Sequence, residues 1–80
     1  MEFLVEKKIL DFVNSHINSQ RFNICEKVGT LCNNSIYHVT SEFRKGKFMG
    51  WPIMVKYGNE GIDFLNHSEI LEVLKELPNE

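Results

Sequence analysis

The sequence predicts a small α+β protein, mainly α-helical, with a three-helix core, a two-stranded β-hairpin and a C-terminal helix in one domain of residues 1–80. The chain has 80 residues, of which 42% are hydrophobic and 25% are charged. That balance is ordinary for one globular domain and too apolar for a disordered chain. Apolar residues recur at helical spacing in three segments of the first half, and a short alternating run with two glycines follows them.

The first helix is predicted over residues 1–18. Val5, Ile9, Phe12 and Val13 recur at the spacing of one helical face, while most of the charged residues fall on the other side. A polar stretch then weakens the helix end and leads into a turn.

Two more helices are predicted in the next segment. The first spans residues 23–32, where Asn23 is a candidate N-cap and Glu26 follows at the capping-box distance. The other spans residues 35–45, with an apolar face on one side and polar residues on the other. Asn33-Asn34-Ser35 separates them, because these residue types favour turns and helix caps.

The hairpin is predicted over residues 53–65, in which apolar and polar residues alternate on both sides of Gly-Asn-Glu-Gly. The last helix is predicted over residues 66–77. Asn66 and Glu69 again have the capping-box spacing, and Pro78 ends the helical pattern.

This order of elements resembles the winged helix-turn-helix family of DNA-binding proteins. In that resemblance Ile24–Cys32 correspond to the positioning helix, Asn33–Ser35 to the turn, Ser35–Lys45 to the recognition helix and Trp51–Leu65 to the wing. The turn departs from the common spacing by one extra residue. The resemblance implies that residues 35–45 form a helix that enters the major groove of DNA.

The outward side of the predicted recognition helix carries residue types that suit DNA. An asparagine can read adenine, an arginine can read guanine or a phosphate, and hydroxyl groups and lysines can bind the backbone. The DNA-binding candidates are Asn34, Ser35, Tyr37, His38, Ser41, Arg44, Lys45, Lys47 and Lys56. The alternative interpretation is an ordinary solvated helix face.

The distribution of charge favours DNA more than the total does. The net charge is −2, whereas nucleic-acid binders are usually basic. Residues 1–20 carry −1, residues 21–57 carry +4 and residues 58–80 carry −5. Since the basic block coincides with the segment assigned to DNA docking, the sequence predicts a small sequence-specific DNA-binding transcriptional regulator.

A homodimer is expected, because one subunit with so little positive charge would bind DNA weakly and such regulators often read two half-sites. Ile70, Leu71 and Leu74 of the last helix are the candidate dimer interface. The alternative is that this helix only covers the core against the first helix.

A second hypothesis belongs to another class of function. The chain would then be a winged-helix-like protein-interaction module or inhibitor without DNA binding, which docks its acidic C-terminal helix on a basic partner. The chain has no alanine and eight asparagines, which is typical of coding in an A+T-rich genome and indicates a virus or a mobile element.

An enzyme is not expected. The sequence contains no glycine-rich nucleotide loop and no metalloprotease or serine-hydrolase motif, and its histidines and cysteines lack metal-site spacing. We therefore expect no cofactor and no metal, with Cys25 and Cys32 as buried thiols. The apolar runs are too short for a membrane span and no secretory signal is visible, so the cytoplasm is the expected location.

Overall fold

The computed structural model describes residues 2–18, 21–41 and 52–76, and within them two helices flank a four-stranded antiparallel sheet. In chain order the elements are α1 (Glu2–His16), β1 (Ile24–Leu31), β2 (Asn34–Thr40), β3 (Ile53–Gly58), β4 (Gly61–Phe64) and α2 (His67–Glu76). The strand order in the sheet is β1-β2-β3-β4. Each strand therefore pairs with its neighbours in sequence.

The two helices lie on opposite faces of the sheet. On one face, here the α1 face, α1 packs in a cluster whose buried members are Ile9, Val13, Phe22, Tyr37, Val39 and Val55. On the other, the α2 face, the buried cluster comprises Ile36, Met54, Leu65, Ile70 and Val73. Successive side chains of a strand point to opposite faces, so β2 and β3 contribute to both clusters and are buried on both sides.

The predicted three-helix core is wrong, because the second and third predicted helices are strands. Residues 24–31 form β1 and residues 34–40 form β2, while residues 42–45 lie outside the described part of the chain. The connection between them is a two-residue hairpin loop, Cys32-Asn33, whose φ angles are 51° and 69°. Two successive residues at positive φ are typical of the tight turns that match the twist of paired strands.

A β-bulge explains why β1 has the spacing of a helix. The register against β2 shifts between Lys27 and Gly29, which leaves Val28 without a partner. Val28 and Leu31 both pack against the cluster on the α2 face, although residues three positions apart in a regular strand point to opposite faces. The bulge thus interrupts the two-residue period of the strand, so that apolar residues three positions apart lie on one face, as they would in a helix.

The composition of β2 favours a strand, whereas its apolar spacing misleads. Ile36, Tyr37, Val39 and Thr40 are β-branched or aromatic residues, which suit a pleated sheet. Both faces of β2 carry buried residues, so its sequence lacks the apolar and polar alternation of a strand with one solvated face.

The helices at both ends and the β3–β4 hairpin lie where the sequence predicts them. The capping box of α2 is confirmed. The backbone N–H of Asn66 donates to Oε1 of Glu69 at 3.0 Å, and the backbone N–H of Glu69 donates to Oδ1 of Asn66 at 2.9 Å. In the hairpin, Gly61 adopts a φ of 110°, a conformation that side chains with a Cβ rarely tolerate.

Candidate functional site

The predicted DNA-binding residues that the structure describes do not lie together on one surface. Tyr37 is buried on the α1 face with 4% of its surface exposed, and Ser41 is 2% exposed. His38 follows Tyr37 along β2 and therefore points to the α2 face. Lys56 of β3 lies on the α2 face as well, where its Nζ is 3.1 Å from Oε2 of Glu69 on α2.

The other candidates divide between the start of β2 and the part of the chain outside the described residues. The side chain of Asn34 donates to the carbonyl of Cys32 at 3.5 Å and lies against Gly58. Ser35 pairs in register with Thr30 and Tyr57. Arg44, Lys45 and Lys47 lie outside the described residues. Because residues 35–40 form a strand, the predicted recognition helix over residues 35–45 is wrong.

The three residues predicted to form a dimer interface have different environments. Ile70 is buried with 4% exposure, and Leu74 is a partly buried residue that packs against the same cluster on the α2 face. Leu71 is 42% exposed. Ile70 and Leu74 therefore hold α2 on the sheet, and the helix covers the face opposite α1 rather than packing against α1.

The outer edge of β1 is open in the described structure. β1 pairs with β2 on one side, and no strand within residues 2–18, 21–41 and 52–76 pairs with its other side. A strand at the end of a sheet presents backbone N–H and C=O groups that a further strand can pair with. β1 has eight residues, whereas β4 at the opposite end has four, so β1 offers the longer edge.

A groove lies on the α1 face beside the first half of β1, and it is called the α1 groove below. It has a volume of about 530 Å³ and runs between α1 and residues 21–25. Its apolar lining consists of Leu10, Phe22, Ile24 and Cys25, and its charged lining consists of Glu6, Lys7, Asp11 and Arg21. The groove therefore combines an apolar surface with charges of both signs.

The side chain of Asn14 fixes one wall of the α1 groove. Its Nδ2 donates to the carbonyl of Phe22 at 2.9 Å, and its Oδ1 accepts the backbone N–H of Phe22 at 2.8 Å. These two bonds satisfy both backbone groups of Phe22 just before β1 begins. They tie α1 to the start of β1 and leave the Phe22 side chain in the core, 2% exposed.

Cys25 contributes to the α1 groove as an apolar group. Burial, with the nearby carboxylates of Glu6 and Glu26, raises the pKa of its thiol to about 12. The thiol therefore stays protonated at neutral pH, whereas nucleophilic attack and metal binding both require the thiolate. Cys25 is half-buried but Cys32 is exposed in the β1–β2 turn, so the prediction of two buried thiols is wrong for Cys32.

A second groove lies on the α2 face beside the other half of β1, and it is called the α2 groove. It has a volume of about 230 Å³ between Val28–Leu31 and α2, and α2 lines it with Glu72, Val73 and Glu76. Neither glutamate forms a salt bridge with a described residue. Glu26 of β1 is exposed and, alternating with Cys25, points to this face as well. The α2 side of the edge is therefore acidic.

The outer edge of Ile24–Leu31 and its two flanking grooves are together called the edge site. Its exposed backbone can pair with an extended chain, and its grooves can receive side chains on alternate sides of that chain.

Among the described residues, no three His, Cys, Asp or Glu side chains converge on a position that could hold a metal ion. The described helices are also too short or too polar to cross a membrane.

Sequence reasoning missed the edge site because the site depends on strand pairing. Glu26 and Lys27 are charged residues inside an otherwise apolar run, which is a known feature of strands at the end of a sheet. That signal is visible only once residues 24–31 are assigned to a strand.

Comparison of this chain with protein-family models, curated proteins and solved structures finds no significant match.

Proposed function

We propose that this protein is a protein-interaction module that binds an extended polypeptide segment by strand addition to β1. The observation that carries the proposal is the open eight-residue edge of β1, which has a groove on each face. In strand addition, backbone hydrogen bonds supply much of the affinity, and pockets for alternate side chains supply the specificity. The α1 and α2 grooves are placed to act as those pockets.

The central registers that would pair β1 with a second copy of itself are unfavourable at the edge site. Twofold antiparallel pairing of β1 with itself, centred on Lys27 or on Glu26, would set that residue opposite its own copy, and like charges directly opposite each other are destabilising. Centring the pairing on Val28 would place two bulges together. Of the three residues predicted for a homodimer interface, Leu71 is the exposed one, and it lies outside the edge site.

Selection from a random peptide library displayed on phage tests strand addition directly. A selected peptide is titrated into the ¹⁵N-labelled protein, and chemical shifts and amide exchange are followed by NMR. We expect the largest shifts and the strongest slowing of exchange within residues 24–31. Failure to select any peptide, or shifts centred on another element, would contradict the proposal.

The variant Leu71→Ser serves as the matched control for that titration. Leu71 is exposed on α2 and does not line either groove, so the substitution should leave peptide affinity unchanged. A loss of binding in this variant would place the peptide on the outer side of α2 instead of on β1.

Binding of duplex DNA is the second candidate function. The observation that favours it is the net charge of +4 over residues 21–57, where six basic residues face two acidic ones. Fluorescence anisotropy with random duplex DNA at about 50 mM salt is the test, because non-specific binding is electrostatic and weakens steeply as salt rises. Salt-sensitive binding at micromolar protein would support this candidate, and no binding would remove it.

The cytoplasm is the proposed location, and a virus or a mobile element is the proposed source. The free thiols of Cys25 and Cys32 support the location, because secreted domains of this size commonly use their cysteines in disulfides. The asparagine-rich composition without alanine supports the source.

A further inference from the structure

Resting on the proposed strand addition, we infer the chemistry of the bound segment. Its alternate side chains are cationic on the side that faces the α2 groove and apolar on the side that faces the α1 groove. The occupant is thus a basic, amphipathic strand of a partner protein.

The charge of the α2 groove selects cations. The described residues that line it include two carboxylates, Glu72 and Glu76, and no basic side chain. Glu26 adds a third carboxylate on the same side of β1. Elsewhere the carboxylates of Asp11 and Glu69 each have a lysine partner within 3.6 Å, whereas these three have none among the described residues. A lysine or arginine of an added strand would supply the missing partner.

The α1 groove selects apolar side chains. Its two acidic and two basic residues balance each other, and Lys7 already pairs with Asp11 at 3.6 Å. The neutral, half-buried thiol of Cys25 lines the groove together with Leu10 and Phe22 and adds to its apolar lining. Because these charges sum to zero, the groove favours neither a cation nor an anion, whereas burying either one beside Leu10 and Phe22 would cost hydration.

The alternation of side chains in a sheet allows one added strand to satisfy both preferences, cationic side chains in the α2 groove and apolar side chains in the α1 groove. Cys25 points to the α1 face, Glu26 points to the α2 face, and residues paired across neighbouring strands point to the same face. An added strand with basic residues at every second position has all of them on one face, and the carboxylates of the α2 groove favour the register that directs them toward α2 and the apolar residues toward the α1 groove. The like-charge contacts that disfavour a second copy of β1 are absent with such a partner.

Two peptides of opposite charge test this inference. The peptide KVKVKV and its counterpart EVEVEV are titrated into the ¹⁵N-labelled protein at low salt. We expect KVKVKV to shift residues 24–31 and EVEVEV to bind at least about fivefold more weakly, since two partly exposed ion pairs together change affinity by about that factor.

A double variant shows whether the carboxylates of α2 cause the difference. Glu72→Gln with Glu76→Gln should weaken binding of KVKVKV about fivefold and leave the fold intact, because both residues are exposed. The matched control is Glu60→Gln, which removes an exposed carboxylate from the β3–β4 turn and should leave the affinity unchanged.

The outcomes separate the two levels of the proposal. Equal binding of both peptides at residues 24–31, unaffected by the double variant, would overturn the inferred charge and leave strand addition standing. Shifts from neither peptide, together with failure of the library selection, would overturn strand addition itself. Binding of KVKVKV that shifts only α2 would also overturn strand addition, because the peptide would then contact the carboxylates of α2 without pairing with β1.

Discussion

The two faces of the sheet are held by different kinds of interaction. On the α1 face, aliphatic and aromatic side chains meet, and the rings of Phe12 and Phe64 lie 4.9 Å apart. On the α2 face an apolar cluster is joined by an ion pair between Lys56 and Glu69. α1 is therefore held chiefly by burial of apolar side chains, which does not depend on pH, whereas the attachment of α2 depends in part on the charge of one glutamate.

Glu69 connects two structural tasks through its two carboxylate oxygens. Oε1 accepts the backbone N–H of Asn66 and completes the capping box, while Oε2 accepts Nζ of Lys56. The backbone hydrogen bond, followed by the bond from Lys56, lowers the pKa of Glu69. The hydrogen bond to Glu69 in turn raises the pKa of Lys56. One residue thus begins α2 and fastens it to β3.

The largest expected effect is loss of packing on the α1 face. Ile9 is completely buried in the cluster beneath α1, so Ile9→Ala should lower the free energy of unfolding by about 3 kcal/mol through lost burial and the resulting cavity. Urea denaturation followed by circular dichroism measures this loss. It should be nearly the same at pH 7 and pH 4, and a strong dependence on pH would break the contrast between the faces.

A smaller effect is expected from removing the cap of α2. Asn66→Ala deletes the oxygen that accepts the N–H of Glu69 and should cost about 1 kcal/mol. Hydrogen exchange should accelerate in the first turn of α2 and remain unchanged in α1. Asn66→Ser keeps a capping oxygen and should restore most of the stability; equal losses in both variants would mean that the cap contributes little.

The smallest expected effect is a dependence of α2 on acid. Because the pKa of Glu69 is lower in the folded protein, its contribution to stability is present above the unfolded value of about 4.3 and is lost as pH falls through the folded value. The protection of α2 amides against hydrogen exchange, measured relative to that of α1 amides, should therefore decrease as the pH is lowered from 7 through this range. In the variant Glu69→Gln, the relative protection of the two helices should no longer vary with pH. A pH dependence that remains in this variant would indicate another titrating group.

Several elements could be predicted from the sequence because their signals are local. The capping box at Asn66 and Glu69 and the glycine-bounded turn of the β3–β4 hairpin each depend on residues that are close in the chain. The apolar spacing of α1 likewise reflects one buried helical face. In these segments propensity, pattern and tertiary environment agree.

β1 and β2 could not be recognised from spacing because tertiary structure changes their pattern. The bulge at Val28 puts residues three positions apart on the same face, and the two helices bury β2 on both sides. The edge site was hidden for a further reason. Whether β1 lies at the end or in the middle of the sheet depends on its pairing with other strands, and periodicity within one segment does not carry that information.

The strand order also has a consequence for how quickly the chain folds. In the described sheet each strand pairs only with its neighbours in sequence, and β1 and β2 meet across a two-residue turn. Hairpins of this kind form on the microsecond timescale, and topologies dominated by local contacts fold faster than those that must join distant segments. The sheet can therefore be completed by joining strands that are neighbours in the chain, without a slow search for distant partners.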